Sequence, residues 1–259
     1  MKSVLAGLLC LLLGSSGAAG AADMLRDEDH ELNPRSPDQL LGGDTTLKTA
    51  DGVEFGVYAT GPEDADRGIL LIHEWWGLND HIRAWADRFA RLGYRAYAVD
   101  LYGGGVATDP DTARSLMKAV NQQEANAKMT AALESLAAPG RKLATIGWCF
   151  GGGQSLQASL AAPEVVDATV IYYGPLVADP DVLEKLRGPV LGIFATQDQS
   201  ISPDKVAAFE QAMQAAGKRL EVHSYDANHA FANPSGQRYD GEAAVAAWEV
   251  TRAFLDREL

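Results

Sequence analysis

Leu143-Ala144-Thr145-Ile146-Gly147-Trp148-Cys149-Phe150-Gly151-Gly152-Gly153 reads as a buried strand, a sharp turn and the first turn of a helix. Glycine stands two places before Cys149 and two places after it. A strand-to-helix turn this tight leaves no room for side chains at those two places. The pattern is a nucleophile elbow with sulfur at the apex, where such elbows more often carry a serine hydroxyl. A lone cysteine ordinarily packs as a small hydrophobe, and the flanking glycines argue against that here. The helix that opens behind Cys149 points its positive end at the sulfur, so the thiol pKa is expected to fall. The Phe150 N–H is positioned by the same turn to donate to an oxyanion.

Working outward, strands alternate with helices. Asp51-Gly52 is a hairpin turn signal between Thr46–Ala50 and Val53–Thr60. Apolar runs at 68–73, 94–99, 143–148, 168–173, 190–195 and 220–225 read as strands. Helical spacing falls at 80–92, 109–120, 122–136, 150–160, 181–186, 203–216 and 242–255. On the first of these helices Ile82, Trp85, Phe89 and Leu92 share a face. The class is α/β: a mostly parallel central sheet with helices on both faces and an N-terminal antiparallel hairpin.

A nucleophile needs a base, and the base needs an orienting acid. Elbow enzymes present them in the order nucleophile, acid, histidine. Asp198 follows the strand 190–195, and His229 follows the strand 220–225, each on a loop at a carboxyl end of the sheet. His223 lies within a strand, Asp204 on a helix and Asp226 at a strand end, so all three are weaker candidates. The strand 68–73 runs into His73-Glu74-Trp75-Trp76-Gly77. There the Trp75 N–H is the candidate for a second oxyanion donor. Glu74 is a carboxylate suited either to act on the thiol or to accept hydrogen bonds. No second histidine stands four places after His73, which speaks against a metal motif.

The chain has 259 residues and a formal net charge of −13. That acidity disfavours nucleic acid and anionic lipid as partners. Lys2, the apolar run from Val4 to Leu13 and the small residues from Ser15 to Ala22 form a signal peptide over 1–22, too short to span a bilayer. Residues 23–45, with Pro34 and Pro37, read as an N-terminal arm, and 46–259 as one catalytic domain. Signal removal would carry off Cys10 and leave Cys149 as the sole thiol of a protein expected to be exported to a bacterial periplasm.

Together these motifs resemble the dienelactone hydrolase family, the carboxymethylenebutenolidase-like proteins of the α/β hydrolase fold. The resemblance runs from about 46 to 258. It rests on His-Glu-Trp-Trp-Gly at 73–77, Asp-Leu-Tyr at 100–102, Gly-Trp-Cys-Phe-Gly-Gly at 147–152, Tyr-Tyr-Gly at 172–174, Asp198 and His-Ala-Phe-Ala at 229–232. It implies a Cys149–His229–Asp198 triad, with Glu74 regulating the thiol. Tyr102 and Tyr172 would line the pocket; the position of Trp75 and Trp76 after the strand 68–73 suits them either to line it as well or to cover the sheet edge. It also implies arginines that hold a substrate carboxylate, but Gly103-Gly104-Gly105 and Asn233 stand where these would fall.

The expectation is an exported hydrolase of small ester or lactone substrates, acting through a thioester and needing no cofactor. Once the signal is cleaved no membrane contact is expected, and a monomer is favoured. The alternative is a non-catalytic ligand-binding or scaffold protein on the same fold.

Overall fold

The computed structural model describes residues 40–259. The signal peptide and most of the arm therefore lie outside the described residues. The strands are β1 (Gly43–Lys48), β2 (Glu54–Thr60), β3 (Arg67–Ile72), β4 (Tyr94–Val99), β5 (Lys142–Trp148), β6 (Ala168–Tyr172), β7 (Val190–Ala195) and β8 (Leu220–Tyr225). The helices are α1 (Asp80–Arg91), α2 (Pro110–Ala119), α3 (Gln122–Leu136), α4 (Phe150–Ala161), α5 (Pro180–Leu183), α6 (Pro203–Ala215) and α7 (Gly241–Glu258).

One eight-stranded sheet has the order β1-β2-β4-β3-β5-β6-β7-β8. β2 is antiparallel to both its neighbours, and every other pairing is parallel. The α/β class and the opening hairpin thus stand as read from the sequence. The hairpin differs in extent, because β1 begins at Gly43, inside the stretch read as an arm. Its residues are mostly exposed at the sheet edge, so no apolar alternation marks them. The Gly42 N–H donates to the Tyr58 hydroxyl (2.7 Å) and the Leu41 N–H to Asp87 Oδ2 (2.9 Å). Tyr58 in turn donates to Asp87 Oδ1 (2.8 Å), so a buried carboxylate on α1 ties down the approach to β1.

Strand alternation sends side chains to two cores. Ile69, Leu71, Ala144, Ile146 and Trp148 pack with Ile82, Trp85 and Phe89 of α1 and with Trp248 and Phe254 of α7. Leu70, Ile72, Val99 and Leu143 face Met129, Leu133 and Leu136 of α3 on the other side. α6 covers the far end of that second side through Phe209 and Met213. Central strands buried on both faces expose only their ends, and the carboxyl ends of β3, β5, β7 and β8 carry the residues singled out above.

Candidate active site

Cys149 is the N-cap of α4, with φ 54° and ψ −120°. A non-glycine residue pays about 1–3 kcal/mol to stay there, so the surroundings must impose it. Its N–H donates to the Tyr172 carbonyl (3.0 Å), and its own carbonyl accepts from the Gly152 N–H (3.0 Å). The glycines around it permit the crossing. A Cβ on Gly147 would lie 2.0 Å from the Gly151 oxygen, and one on Gly151 would lie 2.2 Å from the Ile72 oxygen. The elbow therefore presses on the end of β3 as well as capping β5.

Three non-glycine residues among those described have positive φ: Cys149, Tyr173 and Ala230. One is the elbow itself, one stacks near His229, and one follows His229 in the chain. Backbone strain is thus gathered around one point on the sheet edge.

The structure brings the three proposed triad residues together. His229 Nε2 lies 3.1 Å from Cys149 Sγ, and His229 Nδ1 lies 2.6 Å from Asp198 Oδ2. Asp198 is buried, and its Oδ1 accepts from the N–H groups of Ser200 (2.7 Å) and Ile201 (3.0 Å). Backbone bonds from Thr196 to Tyr225 (2.9 Å) and from Gln197 to Ala227 (3.0 Å) join the acid and histidine loops. A carboxylate at Nδ1 makes that nitrogen the N–H donor, so Nε2 is left to accept the thiol proton. The rivals lie elsewhere. His223 pairs with Glu221 (2.9 Å), Asp226 accepts from Thr196 and Gln197, and Asp204 sits in the first turn of α6.

The thiol departs from expectation. Its pKa is pushed up from 9.0 to about 12, first by burial and then by the charge of Glu74. The Phe150 N–H pulls it down, as the helix start should, and so does Arg238. Asp198 pushes it further up. Loss of water and a nearby carboxylate outweigh one helix end. At rest the Cys149 side chain is therefore a neutral thiol.

Glu74 is itself buried, and burial lifts its carboxyl from 4.5 to about 7. Asn233 Nδ2 donates to Glu74 Oε2 and opposes that rise. Asn233 thus stands as a direct partner of the carboxylate that acts on the thiol, a role that sequence spacing alone did not disclose. His73 is a second such residue. Its Nε2 accepts from the Leu101 N–H (3.3 Å) and its Nδ1 donates to the Glu74 carbonyl (2.6 Å). Burial holds its pKa down, so it stays neutral and braces the two loops that carry Glu74 and Tyr102.

The proposed pocket residues divide. Trp75 and Trp76 are half-buried after β3, with ring centroids 5.0 Å apart. The Tyr102 ring packs against His73 (4.5 Å) and Phe150 (5.7 Å), and the Cys149 charge reaches its hydroxyl. Tyr172 is not brought to the site. Its hydroxyl bonds the Thr251 hydroxyl (2.6 Å) and the Ala247 carbonyl (3.1 Å) in the core beneath α7. Tyr173 stands by the triad in its place, with its ring centroid 5.3 Å from that of His229. Strand alternation turns Tyr172 to the α7 face, and the positive φ at Tyr173 turns the next side chain toward the elbow. Among the described residues no group of three or more His, Cys, Asp or Glu could hold a metal ion, and no helix is long and apolar enough to cross a membrane.

Against known proteins, a model described as the dienelactone hydrolase family matches residues 55–259. A Saccharolobus solfataricus protein provisionally named a carboxymethylenebutenolidase is 30% identical over 252 residues, covering 80% of this chain and 96% of its own. The Aquifex pyrophilus protein usf is 31% identical over 223 residues, covering 81% of this chain and 96% of its own. The crystal structure of a Klebsiella pneumoniae protein, provisionally named a dienelactone hydrolase, aligns with TM-score 0.75 at 27% identity. It covers 84% of this chain and 98% of its own.

Proposed function

This chain belongs to the dienelactone hydrolase family and is a hydrolase of ester or lactone bonds, and from that premise we propose that it works by thiol catalysis at Cys149 in an exported, periplasmic protein. The observation that carries the chemistry is the continuous relay from sulfur through His229 to Asp198, at 3.1 and 2.6 Å, on a strained elbow.

The thiol proton passes to His229 Nε2 as the sulfur attacks the substrate carbonyl. The N–H groups of Phe150 and Trp75 receive the oxyanion. Collapse of the tetrahedral adduct breaks the carbon–oxygen bond and leaves a thioester on Cys149. His229 returns its proton to the departing alkoxide, which in a lactone stays tethered to the acyl group. Water then gives a proton to His229 and attacks the thioester, and the acid leaves as the thiol is re-formed. Asp198 holds the imidazole in the required tautomer throughout.

The proposed address rests on the signal-like segment at 1–22. Glycines after Tyr102 and an amide at Asn233 supply no arginine clamp for a substrate carboxylate, while the charge of Arg238 still reaches the thiol, so neutral and anionic substrates are both to be compared.

The test is a panel of neutral and anionic p-nitrophenyl esters and small lactones, on wild type and Cys149→Ala. Loss of turnover in a variant with unchanged circular dichroism is expected, and full turnover would overturn the thiol mechanism. Recovery of a protein shortened near Ala21 or Ala22 from a periplasmic fraction checks export.

A further inference from the structure

Tyr173 packs beside His229, which in turn touches the thiol, and carries a buried hydroxyl that the triad chemistry leaves unused. It is 0% exposed, and its hydroxyl oxygen has no hydrogen-bond partner. The Ala232 N–H is directed toward the phenol oxygen without completing a bond. An N–H can only donate, so the phenol hydrogen lacks an acceptor in either case. The backbone at Tyr173 is also strained, with φ 36°. Its ring packs on His229 (5.3 Å) and on Phe231 (5.5 Å). Besides burial, the strongest influences on the phenol are the charges of Glu74 and Cys149.

An unsatisfied donor held in a strained conformation costs stability, a cost that active sites retain where the group works during turnover. The acceptor missing at rest is one that forms during turnover. We propose that Tyr173 serves the thiol: as Cys149 passes its proton to His229, the Tyr173 hydroxyl turns its hydrogen toward the negative charge shared by the sulfur and Glu74. The S–H proton moves to Nε2, and the phenol keeps its own proton. The hydroxyl is sealed from solvent, so water does not compete for its hydrogen. Its action rests on Cys149 being the nucleophile.

The groups that face this charge come from every neighbouring loop. They are Glu74 after β3, Tyr102 after β4, Asp198 after β7, and His229 and Arg238 after β8. Tyr172 acts on Tyr173 from β6. Of these, Tyr102 has a second unpartnered buried hydroxyl, but only the Cys149 charge acts on it. Tyr173 is the one reached by both acids.

The experiment compares Tyr173→Phe with Tyr172→Phe, reading the rate of Cys149 alkylation by iodoacetamide against pH, kcat/KM against pH, and Tm. A hydrogen bond to a charged group corresponds to roughly tenfold or more in equilibrium, or about one pH unit. Tyr173→Phe is expected to slow Cys149 alkylation about tenfold at each pH from roughly 7 to 9 and to lower kcat/KM at neutral pH about tenfold, with Tm equal or higher. Tyr172→Phe removes a paired hydroxyl, so Tm should fall and the alkylation rate should stay. An unchanged alkylation rate in a folded Tyr173→Phe overturns the proposal. Should that variant fail to fold, 3-fluorotyrosine at position 173 keeps the hydroxyl and strengthens its donor. Alkylation should then quicken, and no change counts against Tyr173. Alkylation reads the sulfur directly, so it remains informative even if Cys149→Ala were to keep its ester turnover and sink the hydrolase mechanism.

Discussion

Glu74→Gln is expected to make the protein more stable, and only above acidic pH. Burial raises the Glu74 carboxyl from 4.5 to about 7. That difference corresponds to ~3 kcal/mol, and the carboxyl is nearly inaccessible to water, so little screening reduces it. Below pH 4.5 the group is protonated in both folded and unfolded chains and has no effect on stability. As pH rises from 4.5 to about 7 the unfolded chain ionises while the folded one holds its proton, so stability falls. Above about 7 the whole ~3 kcal/mol is lost.

Glutamine keeps an oxygen to accept from Asn233 Nδ2 and never ionises. The difference between variant and wild type should be near zero at pH 4 and grow to ~3 kcal/mol by pH 8 to 9. Titrating groups that the Glu74 charge does not reach act on both proteins and cancel. Urea unfolding followed by tryptophan fluorescence across this range measures it. A difference that is flat with pH, or a wild type more stable at pH 8, would refute the reasoning. In the same variant the Cys149 thiol loses its strongest opposing charge, so its alkylation midpoint should fall.

Asp198→Asn should lower kcat/KM by on the order of 10³–10⁴ with the fold retained. In either orientation the amide sets an N–H donor against another donor, at His229 Nδ1 or at the Ser200 and Ile201 N–H groups. The imidazole then favours the wrong tautomer, and steady-state ester hydrolysis would show it. Gly151→Ala places a Cβ 2.2 Å from the Ile72 oxygen and 2.5 Å from the His73 oxygen. Both are backbone of the central strand, so a loss of about 1–3 kcal/mol is expected in thermal or urea unfolding, together with reduced turnover.

The elbow and its partners were legible because their constraints are local. The need for glycine at 147 and 151 follows from the tightness of one turn. Asp198 and His229 follow from strand ends that apolar runs already mark. β1 was read late, because an exposed edge strand has no apolar face to betray it. Sequence does not tell Tyr172 from Tyr173, because the positive φ at Tyr173, which sets its ring against His229, leaves no mark in the residues around it. The Glu74–Asn233 bond joins residues 159 positions apart, and nothing in either neighbourhood announces it.

Sequence alone pointed to the kind of chemistry proposed above: a sulfur on an elbow, followed in order by an acid and a histidine. Those depend on turn geometry and on hydrophobic runs, which short stretches of chain encode. Tertiary structure decided the state of that sulfur. Its pKa is set by how much water is excluded and which charges arrive from β3, β7 and β8. Desolvation and Coulomb fields act through space rather than along the chain, so a helix start expected to produce a thiolate instead sits over a thiol that burial and Glu74 keep neutral.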